Sequence, residues 1–308
     1  MELRHLRYFV TLAEDLHFAR AAERLNIAPP TLTVQIQEIE RRLSVRLFAR
    51  TKRSVALTPA GEIFLVEARN VLAQYAKAES IGLRAGRGEI GRVEIGYVGS
   101  AAYAGVLQQQ VGAFSLAWPG VHLNARELPM DSLPRLVAEG VVDIGFVRMP
   151  VAMSRSLWIH RLLVDYFCLA APARYDLDGR APVVPARLAE AKFIAPEQEA
   201  GTYEVASRGQ FKPNIVATPG SLLAVLTHVS LGAGVAVIPS VVRNIVTLPG
   251  VRFHRLAGAP ILSEVSAIFR AHESAPAVKT FVQQIQSTPA RFLDPDDWSP
   301  GAVALPTA

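Results

Sequence analysis

The chain has 308 residues, half of them hydrophobic, a net charge of +5 and a single cysteine, Cys168. That length exceeds one average domain and supplies enough apolar material for proper cores, so two or three domains are expected. One cysteine excludes an internal disulfide framework. Met1-Glu2-Leu3-Arg4-His5 lacks the pattern of a signal peptide, and no apolar run reaches transmembrane length, so a cytoplasmic protein without a membrane partner is expected.

The charge is concentrated. Residues 1–88 hold 14 Lys and Arg against 9 Asp and Glu, whereas residues 89–308 hold 18 of each. A localised basic excess is the electrostatic footprint of a polyanion-binding module, although charge alone fits an uneven solvated surface equally well.

Leu3, Leu6, Phe9, Val10 and Ala13 recur at helical spacing, as do Phe18, Ala21, Ala22 and Leu25. These predict two short amphipathic helices. After a turn at Asn26-Ile27-Ala28, a third helix is predicted. Leu32, Ile36, Ile39 and Leu43 form its apolar stripe, and Pro29 and Pro30 occupy first positions where a missing amide proton costs nothing. Thr31, Thr33, Val34 and Gln37 point away from the stripe and suit a DNA groove, as a helix-turn-helix requires.

Beyond Leu43, apolar ends flank the cationic tip Thr51-Lys52-Arg53-Ser54, which reads as a hairpin or wing. Arg50, Lys52 and Arg53 are expected to project toward a phosphate backbone or minor groove. Thr58-Pro59 opens a helix to about Leu83, with threonine as N-cap. In it Phe64, Ala68, Val71, Tyr75, Ala78 and Gly82 make a heptad seam, which is read as a dimerisation face; packing on its own domain is the alternative. Gly86-Arg87-Gly88-Glu89-Ile90-Gly91 matches G-x-G-x-x-G but follows a helix and precedes a strand, so it is read as an interdomain hinge and not a dinucleotide loop.

From Arg92 onward strand and helix patterns alternate, predicting an α/β sheet. Strands are expected at Val93–Val98, around Val121–Ala125, at Asp143–Arg148 and at later apolar stretches including Leu162–Val164, Tyr166–Ala171, Val235–Ile238 and Val265–Phe269. Helices are expected at Val106–Phe114, Asp131–Val137, Ser221–Leu231 and Val278–Ile285. The segment from Pro295 is expected to fray.

The opening helices, the Pro29–Ile36 run, Leu47-Phe48-Ala49-Arg50, Leu57-Thr58-Pro59-Ala60-Gly61 and Ile95-Gly96-Tyr97-Val98 together resemble the LysR-type transcriptional regulators over nearly the whole chain. The resemblance implies an N-terminal all-α winged helix-turn-helix (1–58), a linker and dimerisation helix with hinge (59–88) and a C-terminal effector domain (89–295). That domain would be a two-lobed α/β fold like periplasmic solute-binding proteins, with lobe I at about 92–163 and 266–295, lobe II at about 164–265, and a flexible tail at 296–308. It also implies a homodimer or homotetramer on double-stranded DNA carrying an inverted repeat, with RNA polymerase as a further candidate partner. Pro30, Thr33 and Arg53 match positions that contact DNA in relatives. The family commonly opens the key helix with Ser-Gln-Pro. Here Ala28 offers no capping oxygen, a change usually worth about 1 kcal/mol, Pro29 replaces the glutamine, and Val34 replaces an arginine.

In such a fold the ligand lies at the C-terminal ends of strands. Ser100 and the amides from Ala101 onward are expected to hold a carboxylate, although Ser100 reads equally as an N-cap. Met130, Phe146 and Arg148 are expected to line the cleft, with Arg148 either binding a carboxylate or serving a structural ion pair. Thr202 and Tyr203 match the opposite wall, the tyrosine favouring an aromatic or unsaturated carboxylate effector. No cofactor, metal site or catalytic residue is expected: the seven histidines are scattered, G-x-S-x-G and G-x-x-x-x-G-K are missing, and Cys168 lies in an apolar stretch. A cytoplasmic small-molecule-binding protein, or an enzyme using the same cleft, is the alternative reading.

Overall fold

In the N-terminal unit, Met1–Arg84, the helical spacings become α1 (Leu3–Asp15), α2 (Phe18–Arg24) and α3 (Pro29–Leu43). The computed structural model describes residues 1–51, 54–175, 177 and 181–298. Leu6, Phe9, Leu12, Ala21, Ala22, Leu32, Ile36 and Ile39 bury themselves against one another, which is the only way three short helices can hide their apolar stripes. Asn26 takes a left-handed conformation (φ 57°) between α2 and α3. Leu43 departs from the expected stripe: it closes α3 where the chain reverses at Ser44, and it is exposed. Glu40 is buried in that part of the helix instead.

Two short strands follow, β1 (Phe48–Arg50) and β2 (Val55–Leu57), antiparallel with Phe48 opposite Leu57 and Arg50 opposite Val55. The hairpin is the wing. α4 (Pro59–Gly86) opens with Thr58, whose Oγ1 accepts the Gly61 amide at 3.0 Å and donates to the Arg46 carbonyl at 2.7 Å. The expected heptad seam is split by packing. Phe64 meets Phe9 edge-on at 4.8 Å and Ala68 is buried, so the first turns of that seam serve this unit's own core. Ile63, Val66, Val71, Ile81 and Leu83 are exposed along the rest of α4.

The second unit, Ala85–Ala308, contains an eight-stranded sheet carried through both lobes by one long strand, and a separate two-stranded pair. In chain order it comprises β3 (Ile90–Tyr97), α5 (Gly99–Ala102), α6 (Val106–Ala117), β4 (Gly120–Glu127), α7 (Leu133–Ala138), β5 (Ile144–Met149) and β6 (Leu157–Pro172). Then come β7 (Lys192–Ile194), α8 (Ala200–Arg208), β8 (Asn214–Ala217), α9 (Leu222–Ser230), β9 (Ala236–Pro239), β10 (Val251–His254), β11 (Leu262–Arg270), α10 (Pro276–Ser287) and β12 (Arg291–Phe292). The first lobe is the run β4-β3-β5-β11-β6, parallel through β4, β3 and β5 and antiparallel at β11. The second lobe uses the far half of the same β6, which pairs with β9 and β10, and adds the parallel pair β7-β8. The apolar stretches expected as separate strands around Leu162 and Tyr166 are therefore one strand of 16 residues. A lobe boundary at residue 164 falls inside it and not in a loop.

One further expectation changes. Gly88 (φ 73°) is buried, and a side chain there would strike the Pro276 backbone at 2.7 Å, so this glycine packs within the α/β unit. The start of the expected tail is docked: the Arg243 guanidinium lies 4.1 Å over the Trp298 ring and donates to the Asp297 and Trp298 carbonyls, while Tyr166 donates to the Asp294 carbonyl. Residues 299–308 lie outside the described residues.

Candidate DNA-binding face and ligand cleft

α3 presents its outer face as a line of residues. Pro30, Val34, Gln37 and Arg41 follow one another at four, three and four residues, and all are exposed. Pro29 and Thr31 are exposed beside them, and Thr33 is half-buried, its hydroxyl donating back to the Pro29 carbonyl at 3.1 Å. Arg41 was not among the expected contacts. Its guanidinium is held by Glu38 through two hydrogen bonds of 2.6 and 2.9 Å. A basic residue one turn beyond Gln37 on the same stripe was the available signal.

At the start of α3 no side chain caps the helix. The double proline removes two of the amides that a cap would satisfy, and the amides of Thr31 and Leu32 both reach the Ala28 carbonyl. The loss expected from alanine at this position is thus offset.

Arg50 does not project from the wing as expected. It turns inward, donating to Glu40 at 3.1 Å and lying 4.9 Å over the Phe18 ring. The cause is Glu40, a buried carboxylate that also accepts the amides of Leu47 and Phe48 at 2.9 and 3.1 Å; such a group demands a cation. Lys52 and Arg53 lie outside the described residues.

In the α/β unit a cleft opens at the C-terminal ends of strands, lined by Gly99, Ser100, Glu127, Met130, Arg148, Glu197, Gln198, Ser221 and their neighbours. Of the seven expected ligand residues, Ser100, Met130 and Arg148 meet there. Ala101 and Phe146 are wholly buried in the core behind it, whereas Thr202 is buried in α8 and Tyr203 is exposed on the same helix; none of these four lines the cleft. The cavity volume is about 30 Å³, room for roughly one water.

Arg148 is fully buried and committed. It donates to Asp165 at 2.8 Å and to the Ser263 hydroxyl, with a longer bond of 3.3 Å to the Ser100 carbonyl. Its charge is spent on Asp165, the structural alternative weighed from the sequence. Glu127, which ends β4, lies across Gly99: a Cβ there would sit 2.6 Å from its Oε1, so a side chain at this position would push the carboxylate aside. On the opposite wall the Glu197 carboxyl is held above the ordinary carboxylate range by desolvation, with Asp131 and Glu127 adding to the rise and the Met130 amide opposing it. Gln198, 7% exposed, donates to the Met149 carbonyl, while its Oε1 is buried without a partner among the described residues. Ser221 caps α9, its Oγ accepting the Ala224 amide at 3.2 Å. Glu127, Glu197 and Gln198 were missed from the sequence, although Glu127 sits where the strand-end rule looks. Among the described residues no group of side chains has the make-up of a metal site, and no helix is long and apolar enough to cross a membrane.

A trihelical unit with a winged hairpin, joined to a two-lobed α/β unit with a cleft between its lobes, defines a ligand-responsive helix-turn-helix regulator. Comparison with known proteins carries this to a family. Residues 3–62 match the model of the bacterial regulatory helix-turn-helix protein, lysR family, and residues 86–290 match the LysR substrate binding domain. The uncharacterized HTH-type transcriptional regulator YnfL of Escherichia coli (strain K12) is 34% identical over 291 residues, 91% of this chain and 96% of the relative. The HTH-type transcriptional regulator AlsR of Bacillus subtilis (strain 168) is 32% identical over 288 residues, 92% of this chain and 94% of the relative. Among solved structures, full-length CbnR complexed with its target DNA superposes with a TM-score of 0.79 at 26% identity, covering 94% of this chain and 99% of that one. The chain belongs to the LysR family of bacterial transcriptional regulators. It is a DNA-binding regulator with an effector-binding domain, and its relatives are transcriptional regulators.

Proposed function

We propose that this regulator reads an inverted repeat as a dimer or higher oligomer and changes its DNA complex when a small carboxylate enters the cleft. The supporting observation for the first part is the exposed line along α3 beside the wing. Pro30, Val34 and Gln37, flanked by Pro29, Thr31 and Thr33, would enter the major groove, with Val34 suited to a thymine methyl. Lys52 and Arg53 are proposed to meet the backbone or minor groove. Arg50 acts in this reading through Glu40, holding the wing to α3.

Self-association is proposed along the solvent side of α4, where Ile63, Val66, Val71 and Ile81 are exposed. An isolated helix face of this kind is covered most simply by its own copy, and twofold pairing matches a palindromic site.

For the effector, the Ser100 hydroxyl and the first turn of α9 supply donors suited to a carboxylate. An aromatic or unsaturated body rests on Tyr203 alone, which is exposed on α8 and does not line the cleft. Two measurements test the proposal. Retardation of a fragment from the protein's own promoter region should weaken steeply as salt rises, because phosphate contacts release counterions; equal binding to unrelated sequences would defeat it. Small carboxylic acids should raise the melting temperature, and a rise with neutral compounds alone would defeat the carboxylate assignment.

A further inference from the structure

The cleft is acidic. Among its described lining residues the cation is Arg148, already neutralised by Asp165, whereas Glu127 and Glu197 form no ion pair with another described residue. A bare carboxylate entering here would meet two carboxylates with no free cation between the walls, a net repulsion. Gln198 carries the same message independently. Its amide is oriented by donation to the Met149 carbonyl, which leaves Oε1 of this cleft-lining residue buried and without a partner among the described residues. A buried acceptor with no donor is costly, and a ligand donor would relieve that cost.

We infer that the effector is a small amino acid or close analogue, whose protonated amine is received by Glu127, Glu197 and Gln198 Oε1 while its carboxylate takes the Ser100 hydroxyl and the first turn of α9. This rests on the reading of the cleft as the effector site. Opposite charges on the two ends of one ligand resolve the conflict: the ammonium neutralises the acidic wall, and the carboxylate faces the nine-residue helix whose first turn, at Ser221 and Leu222, opens on the cavity. The cavity volume of about 30 Å³ is smaller than any such molecule, so the lobes part for entry. Deaminated acids of equal size would lose the ammonium contacts and keep the repulsion.

The test is calorimetric titration of the full chain with three matched sets of two to five carbons: 2-amino acids, the same acids without the amine, and the same amines without the carboxylate. At least one 2-amino acid should bind about tenfold or more tightly than both of its truncated partners. In Glu127→Gln/Glu197→Gln, both exposed positions whose change leaves the core untouched, that preference over the deaminated acid should fall about tenfold. Deaminated acids binding as tightly as amino acids, or a preference that survives in the double variant, would overturn the amine assignment and leave the cleft reading standing. Binding by no member of any set, in protein that still retards its DNA, would overturn both.

Discussion

Single residues in this protein are governed by what they are paired with. Ala28 is a case in which an expected cost fades, since Pro29 and Pro30 bring no amide protons to be capped. Ala28→Ser should therefore change stability by less than roughly 0.5 kcal/mol in urea melts, below the ~1 kcal/mol of an ordinary cap. Arg148 is the opposite case. Removing it strands Asp165, whose second oxygen already lacks a partner among the described residues, so Arg148→Met should cost roughly 3–5 kcal/mol, and adding Asp165→Asn should recover part of it. Cys168 is buried, and desolvation pushes its thiol up to about 12. Its thiol should resist an aromatic disulfide reagent at neutral pH until the protein is unfolded, because only thiolate attacks; rapid native labelling would contradict this.

At the level of elements, α3 and the wing form one device, joined through Glu40. This carboxylate orders the chain at Leu47 and Phe48 and holds Arg50. Glu40→Ala should destabilise the N-terminal unit by about 3 kcal/mol and weaken DNA binding, whereas Glu40→Gln, whose carbonyl oxygen can still accept both amides but gives Arg50 no charge, should lose less; equal stability of both variants and wild type would refute the role. The helices and most strands were legible from periodicity, because burying one stripe or one face leaves its period in the residues. Glu40 was not legible, since a polar residue at a stripe position carries no sign of the partners that chain reversal brings to it. The inward turn of Arg50 was hidden for the same reason. In the cleft, strand ends told where a ligand would lie and named Ser100, Met130 and Arg148. The acidity of the cleft depends in part on Glu197, which with Gln198 reaches the cleft only because β7 belongs to the second lobe, a pairing of distant segments that no local pattern records. Thr202 and Tyr203, carried over by resemblance, sit on α8 and do not line the cavity.

For the whole molecule, the uninterrupted passage of β6 through both lobes has a consequence for surgery on the chain. The second lobe is an excursion: it leaves after Tyr166 and returns at Leu262, two residues that face each other across antiparallel strands, with the Phe167 amide bonded to the Ile261 carbonyl at 2.8 Å. Facing residues in such a pair have Cα atoms only about 5 Å apart, a gap that a two-residue Asn-Gly turn closes. Excising residues 167–261 in this way should leave a folded, shortened regulator with its first lobe and DNA-binding unit intact, deaf to every effector and locked in one transcriptional state. Apolar surface on β6 and β11 that the second lobe had covered would need polar replacements to keep such a protein from aggregating.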